Sequence, residues 1–255
     1  IGKNPILDLR LFKIPSFTVS VLYIATMYAI YFGGVILVPL WLQEYMGYTP
    51  IWAGIAVAPI GLMPALFSNL MGKMVSKIGA IIPLGISILL FALSSFDGAY
   101  FTTNVDLWHI VFSRFLFGCG LLFFIVPLFY LSVRDVPMEK LPTSTGMFHF
   151  VRAMMGGVGT SVFTTLWIRR SAFHHANQVA TILPSRPPVN DIYAQLNGLG
   201  ITGEKSQAVI NDMATNQGAM LGLNDCFYLM GWIFIGMLAI LLIGKRKRVS
   251  ENSFH

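Results

Sequence analysis

Long uncharged apolar runs alternate along the chain with short polar connections. A helix that crosses a bilayer core needs roughly 20 consecutive apolar residues. Six segments meet that need, at about 17–42, 51–71, 79–96, 107–132, 144–168 and 222–244. The fourth and fifth are each interrupted by one arginine, Arg114 and Arg152. Prolines 39, 59, 64, 83 and 127 fall inside these runs. They would break a soluble helix, but neighbouring helices can re-satisfy the freed backbone groups in a membrane. The pattern predicts an all-α membrane protein with six transmembrane helices.

The connections then set the orientation. Lys3, Arg10 and Lys13 precede the first run, Lys73 and Lys77 follow the second, Arg134 and Lys140 follow the fourth, and "GKRKR" follows the sixth. The alternate connections 43–50 and 97–106 contain no Lys or Arg. Basic residues concentrate in cytoplasmic connections, so both ends and the basic turns are expected inside. In the first outer turn, "WLQEYMGYTPIWAG", Glu44 is the one charged residue between Lys13 and Lys73. A wet turn accommodates it. Trp41, Tyr45, Tyr48 and Trp52, with Trp108 and Trp167, are expected in an interfacial aromatic belt.

The connection 169–221 is long and polar and falls outside. "RPPV" interrupts it, "DIYAQLNGLG" reads as a short helix stopped by glycine, and Thr202 is placed to cap a helix leading into the sixth run. Tyr193, Leu196 and Leu199 are expected to cluster there. The chain thus divides into a cytoplasmic lead-in (1–16), five spans (17–168), an external loop with short helices (169–221), the last span (222–244) and a basic cytoplasmic tail (245–255). A loop this long is usually functional or disordered, and its helical pieces favour function. Arg169 or Arg170 is expected to pair with Asp225 at its base.

Composition supports this reading. Hydrophobic residues make up 55% of the 255 and charged residues 11%, against about 25% charged in a soluble domain. The net charge of +6 reflects the topology signal, so no nucleic-acid partner is expected. Cys119 and Cys226 lie in apolar runs and imply no disulfide framework. The chain opens at Ile1 without a signal peptide and reads as the later part of something longer.

Three motifs bear on chemistry. "GKMVSKIG" (72–79) reads as an inner turn, with Gly72 and Gly79 for tight turning and Lys77 facing water. "RFLFGCG" (114–120) places Arg114 in the membrane beside Gly118 and Gly120, which permit close helix approach. An ionisable residue within a span suggests function, although neighbouring carbonyls could also hold this arginine for structure. In "HFVRAMMGGVGTS" (149–161), His149, Arg152, Gly156 and Thr160 share one helical face. Phe148, Val151, Met155, Val158 and Val162 form the opposite, apolar stripe. Helix packing accounts for Gly156 and Gly159 but not for His149 and Arg152. Asp225, at the start of the sixth run, is read as the only acid near a span interior.

With these motifs in this order, the chain resembles the C-terminal six-helix half of a major facilitator superfamily transporter. More narrowly, it is similar to the fourteen-span drug:proton antiporters of the EmrB/QacA type. "GKMVSKIG" resembles the second copy of the family's inner-loop motif, with Ser76 and Ala80 where the full motif carries an acid and a base. "RFLFGCG" resembles the family's Arg-x-x-x-Gly-x-Gly pattern. "LQEYMGYTPIWAG", "FVRAMMGGVGTS", "VPMEK", "HHA" and "LNGLG" resemble segments of the EmrB branch. The resemblance implies export of lipophilic compounds across a bacterial inner membrane by alternating access. It implies a proton gradient as the energy source and no cofactor.

Arg114, Arg152, His149, Asp225 and Glu44 are the substrate or coupling candidates. The implied partners are an N-terminal half, small lipophilic substrates, the lipid bilayer, a periplasmic adaptor and an outer-membrane channel. The proton-carrying carboxylates are expected in the other half.

Fatty acids, bile-salt-like amphiphiles and siderophores stay open as substrates beside drugs. A non-transporting scaffold also stays open, but it would not need two arginines in the bilayer. A membrane enzyme is disfavoured because the sequence lacks H-E-x-x-H and G-x-S-x-G and has no acidic cluster for Mg²⁺ in its spans. No metal site is expected: His174 and His175 are adjacent and would diverge on a helix.

Overall fold

In the computed structural model, which describes residues 9–181 and 187–252, the chain is helical throughout, with no strand among the described residues. A 3-10 turn at Leu9–Lys13 leads to α1 (Pro15–Glu44), α2 (Pro50–Val57), α3 (Pro59–Ile78), α4 (Ile81–Gly98) and α5 (Leu107–Val133). A second 3-10 turn at Met138–Lys140 precedes α6 (Leu141–Thr181), α7 (Pro187–Gly198) and α8 (Glu204–Asn252). Residues 1–8 of the expected lead-in and 253–255 of the expected tail lie outside the described residues.

Five crossings are long and apolar enough to span a membrane: α1, the joined α2–α3 segment Pro50–Ile78, α4, α5 and α8. The joined segment kinks at Pro59, which has no N–H to continue the helical ladder, while Ala58 keeps helical torsions. The sixth crossing is α6, whose glycines, threonines and Arg152 lower its apolarity. It packs between α1 and α8 as closely as any other pair in the bundle. Around the bundle α3 packs on α5, α5 on α4, α4 on α8, α8 on α6 and α6 on α1, with α1 and α5 touching across the middle.

The centre is aromatic. Phe91 lies 4.7 Å from Phe117 and 5.2 Å from Phe234 between ring centroids, a range in which ring pairs attract beyond their area burial. Buried hydrogen bonds tie the helices. The Tyr23 hydroxyl donates to the Met237 carbonyl at 2.9 Å, and the Trp167 indole N–H donates to the Ala219 carbonyl at 2.8 Å. Leu22, Leu66, Leu93, Phe112 and Ile240 face outward, as side chains bathed in lipid would.

The long polar connection is mostly helix. At about 1.5 Å per residue, the 41 residues of α6 would reach about 60 Å, twice the roughly 30 Å hydrocarbon core. The 49 residues of α8 also exceed a membrane span. The two helices therefore project together at one end of the bundle, here the stalk end, and they pack closely there. A side chain at Gly218 would meet the backbone of Ser171 and His175, and one at Gly222 would meet Ser171. The segment 169–221 is thus largely a paired extension of α6 and α8, with the short α7 between them. Gly200 and Gly203, at φ +77° and +64°, make the turn from α7 into α8, a conformation that costs glycine little.

Several expectations need correcting. Residues 72–78 continue α3 as helix, and only Gly79, at φ +79°, turns the chain. Gly72 sits inside that helix with open space beside it. Trp41 and Trp167 do not belong to an interfacial belt: they are 0% and 4% exposed, and Trp41 stacks on Phe101. Trp52 and Trp108 are exposed. Phe148 is buried against Phe129 rather than facing lipid, because α6 also packs at this end of the bundle. Leu196 is buried but Leu199 is fully outward, so the expected cluster with Tyr193 does not form around it.

Candidate functional site

Arg114 is set by its neighbours on three helices. It lies on α5 and is 1% exposed. Its guanidinium lies 4.8 Å from the ring centre of Phe227 on α8 and 5.9 Å from that of Phe117. One terminal nitrogen donates to the Ser113 hydroxyl at 3.2 Å, while the buried Nε has no hydrogen-bond partner. On α4, a side chain at Gly98 would meet both Phe227 and the Arg114 guanidinium. Glycine there makes the space the charge occupies. Below it, Ser94 and Ser113 bond reciprocally: each hydroxyl donates to the other's carbonyl, at 2.7 and 3.3 Å. Among the described residues no carboxylate forms an ion pair with the guanidinium. The nearest acid acting on it is Asp97, at the end of α4, whose Oδ1 instead lies 3.1 Å from the His109 ring.

Arg152 occupies a different setting. It is half-buried on α6, with its guanidinium 5.0 Å from the ring centre of Tyr28 on α1. Tyr28 and Tyr31 stand 5.5 Å apart, and Tyr31 stacks on Phe117 at 6.1 Å. An aromatic path therefore runs from Arg152 across α1 to the ring that also faces Arg114. Each contact is a cation–π or ring–ring interaction, which a low-dielectric setting strengthens. His149 is exposed one turn away and stacks on Phe129. Gly156 and Gly159 let α6 approach α1 closely: a side chain at Gly156 would strike Phe32, and one at Gly159 would strike the Ala29 backbone. The face shared by His149, Arg152, Gly156 and Thr160 is therefore divided. Its glycine is packed, its arginine is half-covered and its histidine is open.

A second polar cluster closes the base of the stalk. The Asp225 Oδ2 receives the Arg170 Nε–H at 2.6 Å and lies 2.7 Å from the His174 ring. Arg170 fills this position, one turn of α6 from His174. His175 points elsewhere, to the Asn211 side chain at 3.1 Å, so the two histidines diverge. No group of three potential metal ligands occurs among the described residues.

The model for the Major Facilitator Superfamily matches residues 2–160. The chain belongs to that superfamily. It is also similar to the multidrug export protein EmrB of Escherichia coli strain K12, at 34% identity over 95% of this chain and 48% of that protein. The probable multidrug resistance protein EmrY of the same strain is 35% identical over 96% of this chain and 48% of its own length. The fatty acid resistance protein FarB of Neisseria gonorrhoeae is 33% identical over 95% and 48%. The chain spans about half the length of these curated relatives. It is a multi-pass membrane protein of the superfamily, with six helices in its bundle.

Within this fold, Arg114 and Arg152 lie on a common aromatic path, whereas Glu44 and Asp225 sit at the stalk end on separate elements. Gly118 lies against Pro59 and Ile60 at the α2–α3 kink, and Gly120 lies against Phe91. Lys77 lies in the last turn of α3, just before Gly79. Sequence reasoning missed Gly98, Asp97, His109, Tyr28 and Tyr31. Three of these carried a signal. Asp97 is an acid at the end of an apolar run, and Tyr28 and Tyr31 are polar-tipped aromatics in the middle of one. Gly98 had none, because it reads as an ordinary turn residue.

Proposed function

We propose that this chain is the C-terminal half of a proton-coupled exporter of lipophilic compounds in a bacterial inner membrane. It would work by alternating access against a second six-helix unit with additional spans. The observation that carries this is Arg114. Arg114 lies seven residues from the start of α5, and burying an arginine within a span is costly, by about 2.5 kcal/mol at the helix centre on insertion scales. Among the described residues, ring faces and one hydroxyl meet the guanidinium, with Asp97 acting on it without an ion pair, so the geometry gives it little structural return. A charge held this way suits a role in coupling rather than in packing.

Arg152, with Tyr28 and Tyr31, supplies a half-open cationic and aromatic surface for an amphiphile. His149, Asp225 and Glu44 remain candidates for substrate contact or coupling, and Gly72, Lys77 and Gly79 for the inner-loop motif. Both ends and the basic turns face the cytoplasm, and the stalk faces outward. On the resemblance to EmrB-type proteins, the stalk docks a periplasmic adaptor that leads to an outer-membrane channel.

Transport is tested in proteoliposomes of the full-length protein under an imposed pH gradient. Gradient-dependent export of a lipophilic dye, lost in Arg114→Met and Arg152→Leu, is expected. Export by the isolated residues 1–255 would refute the half-transporter reading. Replacing 180–205 with a short Gly/Ser linker should cut adaptor co-purification while leaving dye binding intact. FarB's name favours a second substrate class, fatty acids. Competition between the dye and a medium-chain fatty acid would reveal it.

A further inference from the structure

A pocket of about 470 Å³ opens at the stalk end, between the end of α1, the middle of α6 and the projecting part of α8. That is the size of a small-molecule site. It lies apart from Arg114 and Arg152. Its wall is built in a particular way. The Trp167 indole is fixed by its hydrogen bond to the Ala219 carbonyl, and Tyr45 meets it edge-to-face at 5.8 Å and 81°. The two rings form a rigid corner. Glu44, beside Tyr45, is the one formally charged residue among the described residues lining the pocket. Burial, together with the neighbouring Glu44 carboxylate, holds the Tyr45 phenol above its usual pKa.

Part of the remaining polar wall is made of residues that bond one another. His175 is engaged with Asn211, and Thr215 donates to the Asn211 carbonyl. The neighbouring basic side chain, Arg170, is turned to Asp225 and does not line the pocket. The lining thus combines one carboxylate, an aromatic corner and apolar area from Leu40, Ile168 and Ala172. Aromatic faces and a carboxylate both attract positive charge, while the apolar wall favours an apolar body. An anion would meet the Glu44 carboxylate.

We infer that this pocket binds a lipophilic organic cation at the stalk end, as a site separate from the aromatic path of the two arginines. Glu44 is the charge partner, and Tyr45 and Trp167 are the ring contacts. Because the pocket is defined by binding alone, its test does not depend on the transport reading.

The experiment places Thr215→Cys in the full-length protein, with all other cysteines changed to alanine, in phosphatidylglycerol nanodiscs. The rate of maleimide labelling is followed against tetraphenylphosphonium concentration. Saturable slowing is expected, with no slowing by tetraphenylborate, which has the same shape and the opposite charge. Glu44→Gln, at an exposed position, should raise the half-saturating concentration about tenfold, the effect of losing one charge contact near the surface.

Equal protection by tetraphenylborate, no protection by either ion, or an unchanged response in Glu44→Gln would overturn the inference. Protection by phosphatidylethanolamine nanodiscs alone, with nothing added by tetraphenylphosphonium, would assign the pocket to a lipid headgroup and also overturn it. Failed protection beside intact gradient-driven export would remove this site only. Intact protection without export would remove the transport reading and leave the site.

Discussion

Replacing Arg114 with methionine separates a functional charge from a structural one. Methionine nearly fills the volume of the arginine stem and carries no charge. The substitution loses the cation–π contact with Phe227, worth up to about 2 kcal/mol when desolvated. It also loses the hydrogen bond to Ser113, where bonds between membrane helices average about 0.6 kcal/mol. It relieves the cost of an arginine buried within a span, which reaches about 2.5 kcal/mol at the helix centre, and the desolvated Nε without a partner. The two sides nearly cancel, so the full-length variant should keep its unfolding free energy within about 1 kcal/mol of the parent.

Transport should nevertheless fall by at least about tenfold, equivalent to 1.4 kcal/mol or more on the rate-limiting barrier. Thermal unfolding in detergent and gradient-driven dye export, measured on the same preparation, give both quantities. Arg114→Lys is expected to fold but to export poorly, because an ammonium cannot spread over the Phe227 face as a planar guanidinium does. A stability loss above about 3 kcal/mol in Arg114→Met would make the arginine a structural tie between α4, α5 and α8. Normal export by a well-folded variant would equally refute the reasoning.

Gly159→Val should drive α6 off the Ala29 backbone of α1 and cost about 3 kcal/mol or prevent folding, read as loss of monodisperse protein. Gly157→Ala, on the open side of the same helix, should stay within about 0.5 kcal/mol of the parent. Asp225→Asn removes the partner of Arg170 and His174, but the three side chains are 21–42% exposed. Solvent screening should hold the stability loss to about 1 kcal/mol, with faster proteolysis of the α6–α8 stalk as the clearer readout; unchanged proteolysis would show that the stalk is held by Gly218 and Gly222 alone. Single cysteines at Ser76 and Asn197, probed with an impermeant reagent in intact cells, should label only at Asn197; labelling at Ser76 alone would invert the orientation.

The hydrophobic runs determined the existence and order of the crossing helices, because a bilayer leaves no other way to satisfy twenty apolar backbone positions. The two arginines also stood out in the sequence, since a charge within such a run is costly wherever the helix packs. Their settings became clear only in three dimensions. Arg114 lies buried over Phe227 because Gly98, on a third helix, leaves the space, and no local pattern links residues 98, 114 and 227. Trp41 and Trp167 look like interfacial residues by position, but they became core when α6 and α8 closed around the end of α1. The stalk illustrates the same limit. The stretch 169–221 is polar and reads as a loop, because hydropathy records what a segment dissolves in, not whether it is helical. Only the pairing of α6 with α8 at Gly218 and Gly222, and the ties of Asp225 to Arg170 and His174, made most of that stretch an extension of two membrane helices. That pairing also brought Glu44, Tyr45 and Trp167 together around one pocket.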